Sequence, residues 1–414
     1  MKKILQINVF YDYRSTGRIV KDIHEELLKT NEFDSYVIYG RIKTTRNKNV
    51  IKNNTEFYSK FMNVLSRFTG IIYGQCFLGT KSLLRKIDRI KPDLVHIHCP
   101  NGYFCNIPKL IKYLKKNNYP LLLTQHCEFF YTGNCGYAFD CDKWKLGNSG
   151  CGKCPQLKVA TQSLLFDRTK TSFNRMKNAF DGYKELSIAS CTPWLNERAD
   201  ESIILSNYKK MVVYNGTDIN VFKNYNNILS LKKELNIPSD NKVVLFVCAV
   251  PQEPIKGFNY FLKLAELSLK DKKKYTFLFV GGDGKSQYLP NIINLGQINN
   301  SKELAKLYSG SDLSIILSKN ECFPMTIAES VCCGTKVIGF KCHGPDHAYD
   351  PELAEFVEYG NINEVYSRIN RFFDNIQSNR TEIEKKAHSM LSRTKMCQKY
   401  INIYNEILNK NESN

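Results

Sequence analysis

This chain predicts an α/β protein with two parallel sheets, on three observations. Apolar runs of strand length, such as KKILQINVF and KVVLFVCAV, alternate with segments whose apolar residues recur at helical spacing. The alternation occurs twice, on either side of a polar, turn-rich stretch at residues 214–242. At 414 residues the chain is longer than one core ordinarily serves, which suits two domains of about 200 residues each.

The elements follow in order. KKILQINVF reads as a buried strand, YDYRSTG (11–17) as a polar turn, and RIVKDIHEELLKT as a helix with Ile19, Ile23 and Leu27 on one side. Strand, glycine turn and helix open a Rossmann-like unit. Further strands are predicted at YVIYG (36–40), DLVHIHC (93–99), PLLLTQH (120–126), ELSIASC (185–191) and MVVYNGTD (211–218). The second half adds KVVLFVCAV (242–250), YTFLFVGG (275–282) and LSIILS (313–318). IPKLIKYLKKN, GFNYFLKLAELSLK and SKELAKLYSG are helices between them, the first with a basic last turn that suits its dipole. The terminal CQKYINIYNEILNK is amphipathic, with Tyr400, Ile401, Tyr404 and Ile407 on one side, so it needs a surface to cover. These signals divide the chain into residues 1–222, with a cysteine-rich insert at 127–157, then 223–392, then a helix at 393–414 that packs back on the first domain.

Composition excludes several classes. With 43% hydrophobic and 12% aromatic residues the chain does not read as disordered. No apolar run is long enough to span a bilayer. The start MKKILQINVF lacks a cleavage site and is broken by Gln6 and Asn8, so a mature cytoplasmic protein is expected. The net charge of +19 is uneven: between Arg41 and Lys91 stand twelve Lys or Arg against Glu56 and Asp88, interleaved with aromatic and aliphatic residues. Such a face attracts an anionic membrane surface, and it is also what a solvated lysine-rich helix looks like. No nucleic-acid motif accompanies the charge. Fifteen cysteines without an export signal are expected to be reduced, buried or metal-binding.

Several constellations could carry chemistry. In KNECFPMTIAESVCCGTKVIGF (319–340), Glu321 follows the LSIILS strand, at the sheet edge where α/β folds bind ligands. Phe323 and Pro324 open a short helix whose amides, at Met325 and Thr326, favour a phosphate. Glu329 lies one turn on, where a carboxylate can accept from a vicinal diol. On bare physics two such acids are ordinarily surface groups. His126 follows a strand, a place where histidine is ordinarily structural, and His96 and His98 alternate on one strand as sheet histidines. Cys135, Cys141, Cys151 and Cys154 stand in a glycine-rich insert, the last two as a C-x2-C pair. Structural zinc, packed reduced thiols and disulfides all fit that pattern. GGDGKS (281–286) ends like a phosphate loop, but the required first glycine falls at Phe279.

Read together, these segments resemble the retaining family-4 glycosyltransferases of the GT-B fold. The run from Glu321 to Glu329 is similar to the family's E-x7-E segment. YNGTDINVF (214–222) resembles its Asn-Gly-x-Asp signature, IKGFNYFLKLAE (255–266) its Lys-Gly segment, and the STG at 15–17 its donor loop. The QHCEFFYTGNC…CGKCPQ insert resembles a colanic-acid subgroup that builds bacterial surface polysaccharides. The resemblance implies two Rossmann-like domains facing across a cleft. It also implies transfer of a sugar, with retention and without a catalytic metal, from a UDP- or GDP-sugar to a lipid-linked oligosaccharide in O-antigen, capsule or exopolysaccharide synthesis. The enzyme would sit peripherally on the inner face of the plasma membrane, with no nucleic-acid partner. Glu321, His126 and Lys256 are the implied catalytic residues. Gly17, Phe323, Met325, Thr326, Glu329, Gly281 and Gly282 are the implied donor contacts. The family often carries an arginine about five residues before the lysine; Cys248–Gln252 has none, and Arg18 is the cation the reading offers instead. The alternatives are a sugar-nucleotide 2-epimerase of the same fold and a zinc-stabilised basic nucleic-acid-binding protein.

Overall fold

The computed structural model describes residues 1–42, 45, 47–160, 162–375 and 379–412. The chain divides into two compact units, Met1–Val213 with Cys397–Asn414, and Tyr214–Met396.

The first unit runs β1 (Lys2–Asn8), α1 (Arg14–Lys29), β2 (Phe33–Tyr39), β3 (Val50–Lys52), α2 (Glu56–Thr69), α3 (Phe77–Ile90) and β4 (Leu94–Ile97). It continues with α4 (Ile107–Lys116), β5 (Leu121–Gln125), α5 (Thr169–Phe180), β6 (Leu186–Ser190), α6 (Pro193–Glu201) and β7 (Lys209–Val212). The strands form one parallel sheet in the order β3-β2-β1-β4-β5-β6-β7. β1, β4 and β5 are buried on both faces, which is why they read as near-continuous apolar runs. The helices cover the sheet with stripes such as Ile19, Val20, Ile23 and Leu27 of α1. α4 is capped by Asn106, with Pro108 in its first turn and Lys115 and Lys116 in its last.

The second unit runs α7 (Ile228–Glu234), β8 (Lys242–Val247), α8 (Phe258–Lys270), β9 (Tyr275–Val280), β10 (Ile292–Asn294), α9 (Ser301–Gly310), β11 (Leu313–Ile316) and α10 (Met325–Cys332). β12 (Val337–Phe340), β13 (Ala354–Val357), α11 (Ile362–Asp374) and α12 (Arg380–Leu391) complete it. Its parallel sheet has the order β10-β9-β8-β11-β12-β13. Phe246, Phe261 and Phe279 stack at its centre, with Phe246 and Phe261 centroids 4.8 Å apart.

The last helix, α13 (Arg393–Glu412), begins in the second unit and ends in the first. There Tyr400 and Tyr404 are fully buried: the Tyr404 hydroxyl lies 2.7 Å from His96 Nδ1 and that of Tyr400 lies 3.1 Å from Thr124 Oγ1.

Two sequence readings shift. Residues 15–17 are not a turn but the first turn of α1, where the carbonyl of Gly17 accepts from the amide of Asp12. The Asn-Gly-x-Asp segment, counted with the first domain in the sequence, packs within the second unit. Thr217 exchanges backbone hydrogen bonds with Leu391 and Arg393, and a Cβ at Gly216 would stand 2.6 Å from the Arg393 Cα.

Candidate functional site

In the second sheet the strand order reverses between β8 and β11, from which successive strands lead outward in opposite directions. Open α/β sheets bind ligands outside the carboxyl ends at such a switch point. Lys256 and Glu321 both leave from it. Lys256 ends a short 3-10 turn, and Gly257 follows with φ +79°. A Cβ on Gly257 would lie 2.0 Å from the Leu317 carbonyl oxygen, so only glycine lets the turn press against the end of β11. The Lys319 amide donates to the Ile255 carbonyl at 2.7 Å and locks that approach. The result is a 2.8 Å ion pair between Lys256 Nζ and Glu321 Oε1, with side chains 31% and 12% exposed. Burial works against the lysine charge, but the Glu321 carboxylate outweighs it and holds Lys256 above its ordinary value. The glutamate backbone is clamped as well. Its amide donates to Cys342 at 2.9 Å, and its carbonyl accepts from Gly344 at 3.0 Å.

α10 starts just beyond, with Pro324 at its N-cap. The first-turn amides of Met325 and Thr326 have no intrahelical acceptor, and no acid occupies that turn, which suits an anion. Glu329, 9% exposed, lies one turn deeper, its Oε2 3.4 Å from the Tyr308 hydroxyl. Burial first, and then the Glu329 charge, raise the Tyr308 phenol well above its ordinary value. Phe323 packs between Tyr214 and Tyr349, with centroids 6.0 and 5.8 Å away.

Gly281 and Gly282 follow β9, the neighbour of β8, with φ +141° and +64°. A Cβ on Gly281 would stand 1.8 Å from the Cys248 carbonyl oxygen, so this glycine lets the two loops meet. The next residues are no phosphate cradle. Asp283 Oδ1 already accepts from the amides of Lys285 and Ser286, at 3.0 and 3.1 Å.

Gly17 and His126, the other residues singled out in the sequence, lie in the first unit. His126, half-buried, follows β5 and continues a row begun by the buried sheet histidines: His126 Nε2 is 3.2 Å from His98 Nδ1, and His98 Nε2 is 3.2 Å from Gln6 Oε1. His96 is held between Tyr404 and Thr124. Burial pushes His126 down to about 4, and burial followed by the neighbouring imidazoles takes His98 and His96 well below their ordinary value. Between pH 6.5 and 4 the unfolded chain therefore takes protons that the folded one refuses. Stability of the first unit should be level above that window and fall as pH drops through it. His126 alone accounts for roughly 3 kcal/mol of that fall. Thermal unfolding against pH checks this, and His98→Gln should flatten the slope.

In the cysteine-rich insert Cys135 is buried and Cys141, Cys151 and Cys154 are half-buried. Among the described residues no group of three or more His, Cys, Asp or Glu is placed to hold a metal ion. Cys151 Sγ accepts from the Gly133 amide at 3.1 Å. The insert is organised around Glu128, 0% exposed, which accepts from Arg198 Nε at 2.5 Å and from the Ala138 amide at 2.6 Å. The Arg198 guanidinium also lies over Trp144, whose indole donates to the Cys141 carbonyl.

Three features went unread in the sequence. Lys319 brings a second cation to the loop after β11, two residues before Glu321. Cys342–Gly344 forms the clamp on Glu321, signalled only by a glycine after a strand. Arg198 is an unremarkable helix residue until the fold sets it on Glu128. Arg18 is exposed on α1.

Residues 227–390 match the family of glycosyl transferases group 1. The chain is 26% identical over 144 residues to a D-inositol 3-phosphate glycosyltransferase of Thermobispora bispora, covering 30% of this chain and 33% of the relative. It is 29% identical over 124 residues to an α-galactosylglucosyldiacylglycerol synthase of Streptococcus pneumoniae, covering 27% of this chain and 32% of the relative. The matches thus span about a third of these curated relatives. Among solved structures, a sucrose-phosphate synthase of Thermosynechococcus elongatus superposes with TM-score 0.72 at 14% identity, over 99% of this chain and 100% of that one. Anabaena HepE in complex with UDP gives 0.64 at 15% identity, over 98% and 100%. At these identities the likeness carries the fold, which is GT-B.

Proposed function

We propose that this protein transfers a sugar, with retention and without a catalytic metal, from a nucleotide-sugar donor to a hydroxyl of a lipid-linked glycan. The pathway would be assembly of a bacterial surface polysaccharide at the inner face of the plasma membrane. The observation that carries the reading is the Lys256–Glu321 pair beside the open start of α10, at the switch point of the sheet that matches group 1 glycosyltransferases.

Lys256 and the α10 amides suit the diphosphate, whose charge grows as the sugar leaves. Lys319 is the second cation, in place of the missing arginine. Glu321 orients the sugar and shields the positive anomeric carbon. Glu329 accepts from the ribose hydroxyls, and Phe323, Gly281 and Gly282 shape the donor pocket. In the transfer the anomeric carbon–diphosphate bond breaks and a bond to the acceptor oxygen forms. The acceptor proton passes to the departing phosphate oxygen. The UDP complex of HepE supports a nucleotide-sugar donor, and the pneumococcal glycolipid synthase supports a lipid acceptor.

Thermal unfolding against a panel of UDP- and GDP-sugars tests the donor. One nucleoside diphosphate series should stabilise the protein, and Glu329→Ala should raise the donor KM about tenfold with less effect on kcat. No stabilisation by any donor, or an unchanged KM, overturns the site. A donor isomerised in the absence of acceptor would replace transfer by epimerisation.

A further inference from the structure

We infer that the first unit carries a docking face for an anionic lipid bilayer, built from α2, the start of α3 and the loop at 164–166. α2 is turned opposite to an ordinary surface helix. Ser59, Met62 and Ser66 are its buried residues, whereas Phe57, Phe61, Val64 and Phe68 are exposed. At about 100° per residue these four fall within about 60° of one another, a single stripe along the helix. Phe57 is 81% exposed.

Two other segments extend the stripe. The Gly79 amide donates to the Tyr58 hydroxyl at 3.2 Å, which sets the exposed Phe77 and Leu78 beside the start of α2. At the other end the Leu164 amide donates to the Arg67 carbonyl at 2.8 Å, bringing the exposed Leu165 and Phe166 to its last turns. Gly70 makes that approach feasible: a Cβ there would stand 2.2 Å from the Phe166 carbonyl oxygen. Among the described residues, ten of the eighteen exposed large apolar side chains fall within 57–78 and 159–166. This is a patch and not a scatter of single residues.

The rim is cationic. Lys60 and Arg67 flank the stripe, Lys81 stands one turn beyond Phe77, and the Arg168 guanidinium lies 5.6 Å over the Phe166 ring. Nearby acids are engaged. Glu56 takes Arg41 Nε at 2.8 Å, and Asp167 accepts from the amides of Cys154 and Thr169 at 2.6 and 2.9 Å. Phenylalanines ringed by Lys and Arg suit the boundary between anionic headgroups and acyl chains. A second copy of the chain would bring like-charged rims together. As a means of reaching a lipid-linked acceptor the face rests on the function proposed above; as a lipid-binding surface it stands without it.

Sedimentation of the full chain with phosphatidylglycerol-containing vesicles and with pure phosphatidylcholine vesicles tests it. Binding to the anionic vesicles is expected. Phe61→Ser, Phe68→Ser and Leu165→Ser combined should weaken it at least about tenfold without altering thermal unfolding. Leu229→Ser, an exposed apolar residue of the second unit, should leave it unchanged. Tryptophan at position 61 (F61W) should shift its emission to the blue on the anionic vesicles. Stabilisation by the nucleotide donor should persist in the triple variant, so failure of the lipid face and failure of the donor site are read separately. Absence of binding, equal binding by the triple variant, or a triple variant that merely turns a dimer into a monomer would overturn the proposal.

Discussion

Glu321→Ala should lower kcat for sugar transfer by about a hundred- to a thousandfold while leaving donor stabilisation of the folded protein largely intact. The carboxylate is 12% exposed and anchored at both ends, by Lys256 on the side chain and by Cys342 and Gly344 on the backbone. It is thus preorganised and spends no reorganisation when charge develops at the anomeric carbon. Its removal also frees Lys256, which is half-buried and held above its ordinary value mainly by that carboxylate. Glu321→Gln keeps shape and hydrogen bonding but not charge, and should retain part of the activity. Lys256→Ala should act mainly on donor binding, because its charge is assigned to the diphosphate. The double variant should cost less than the sum of the singles, since each single leaves the other partner unpaired. A kcat for Glu321→Ala within a few-fold of the parent would remove the residue from the mechanism.

Arg198→Leu should destabilise the first unit by about 3–5 kcal/mol, the largest stability effect expected in the chain. Glu128 has no exposure to water, and the guanidinium is its counter-charge. Burial works against the Arg198 charge, but the carboxylate beside it outweighs that and raises it further. Without Arg198 the carboxylate is left buried with its partners Tyr131 and Ala138 but no cation. The stacking on Trp144 and Trp194 is lost too, at 4.5 and 5.0 Å. For a unit of this size the midpoint should fall by roughly 6–20 °C, followed as the transition of that unit because two units need not unfold together. Adding Glu128→Gln should recover much of the loss, since it removes the unpaired charge. If the single variant unfolds like the parent, the insert is held by something else.

Much of this protein was determined by the sequence alone, and the reason is local. Strand and helix identity follow from periodicities of two and 3.6, so β1, β5, β8, β9 and β11 were legible within a few residues. So was the start of α10 at Pro324 and its end at Cys333, because proline and glycine act through their own dihedral angles. β3, β10 and β13 were not, being three or four residues long and lacking a pattern. The E-x7-E spacing placed both acids, yet their meaning needed the sheet order. Only the tertiary structure decides that β8 and β11 are neighbours, that Gly257 lies against Leu317, and that residues 65 apart form the Lys256–Glu321 pair. Only it pairs Glu128 with Arg198, 70 residues on, and turns the phenylalanines of α2 away from the core. Dihedral preference and spacing are properties of a few adjacent residues; burial and charge pairing arise from what distant segments bring, and these set the chemistry.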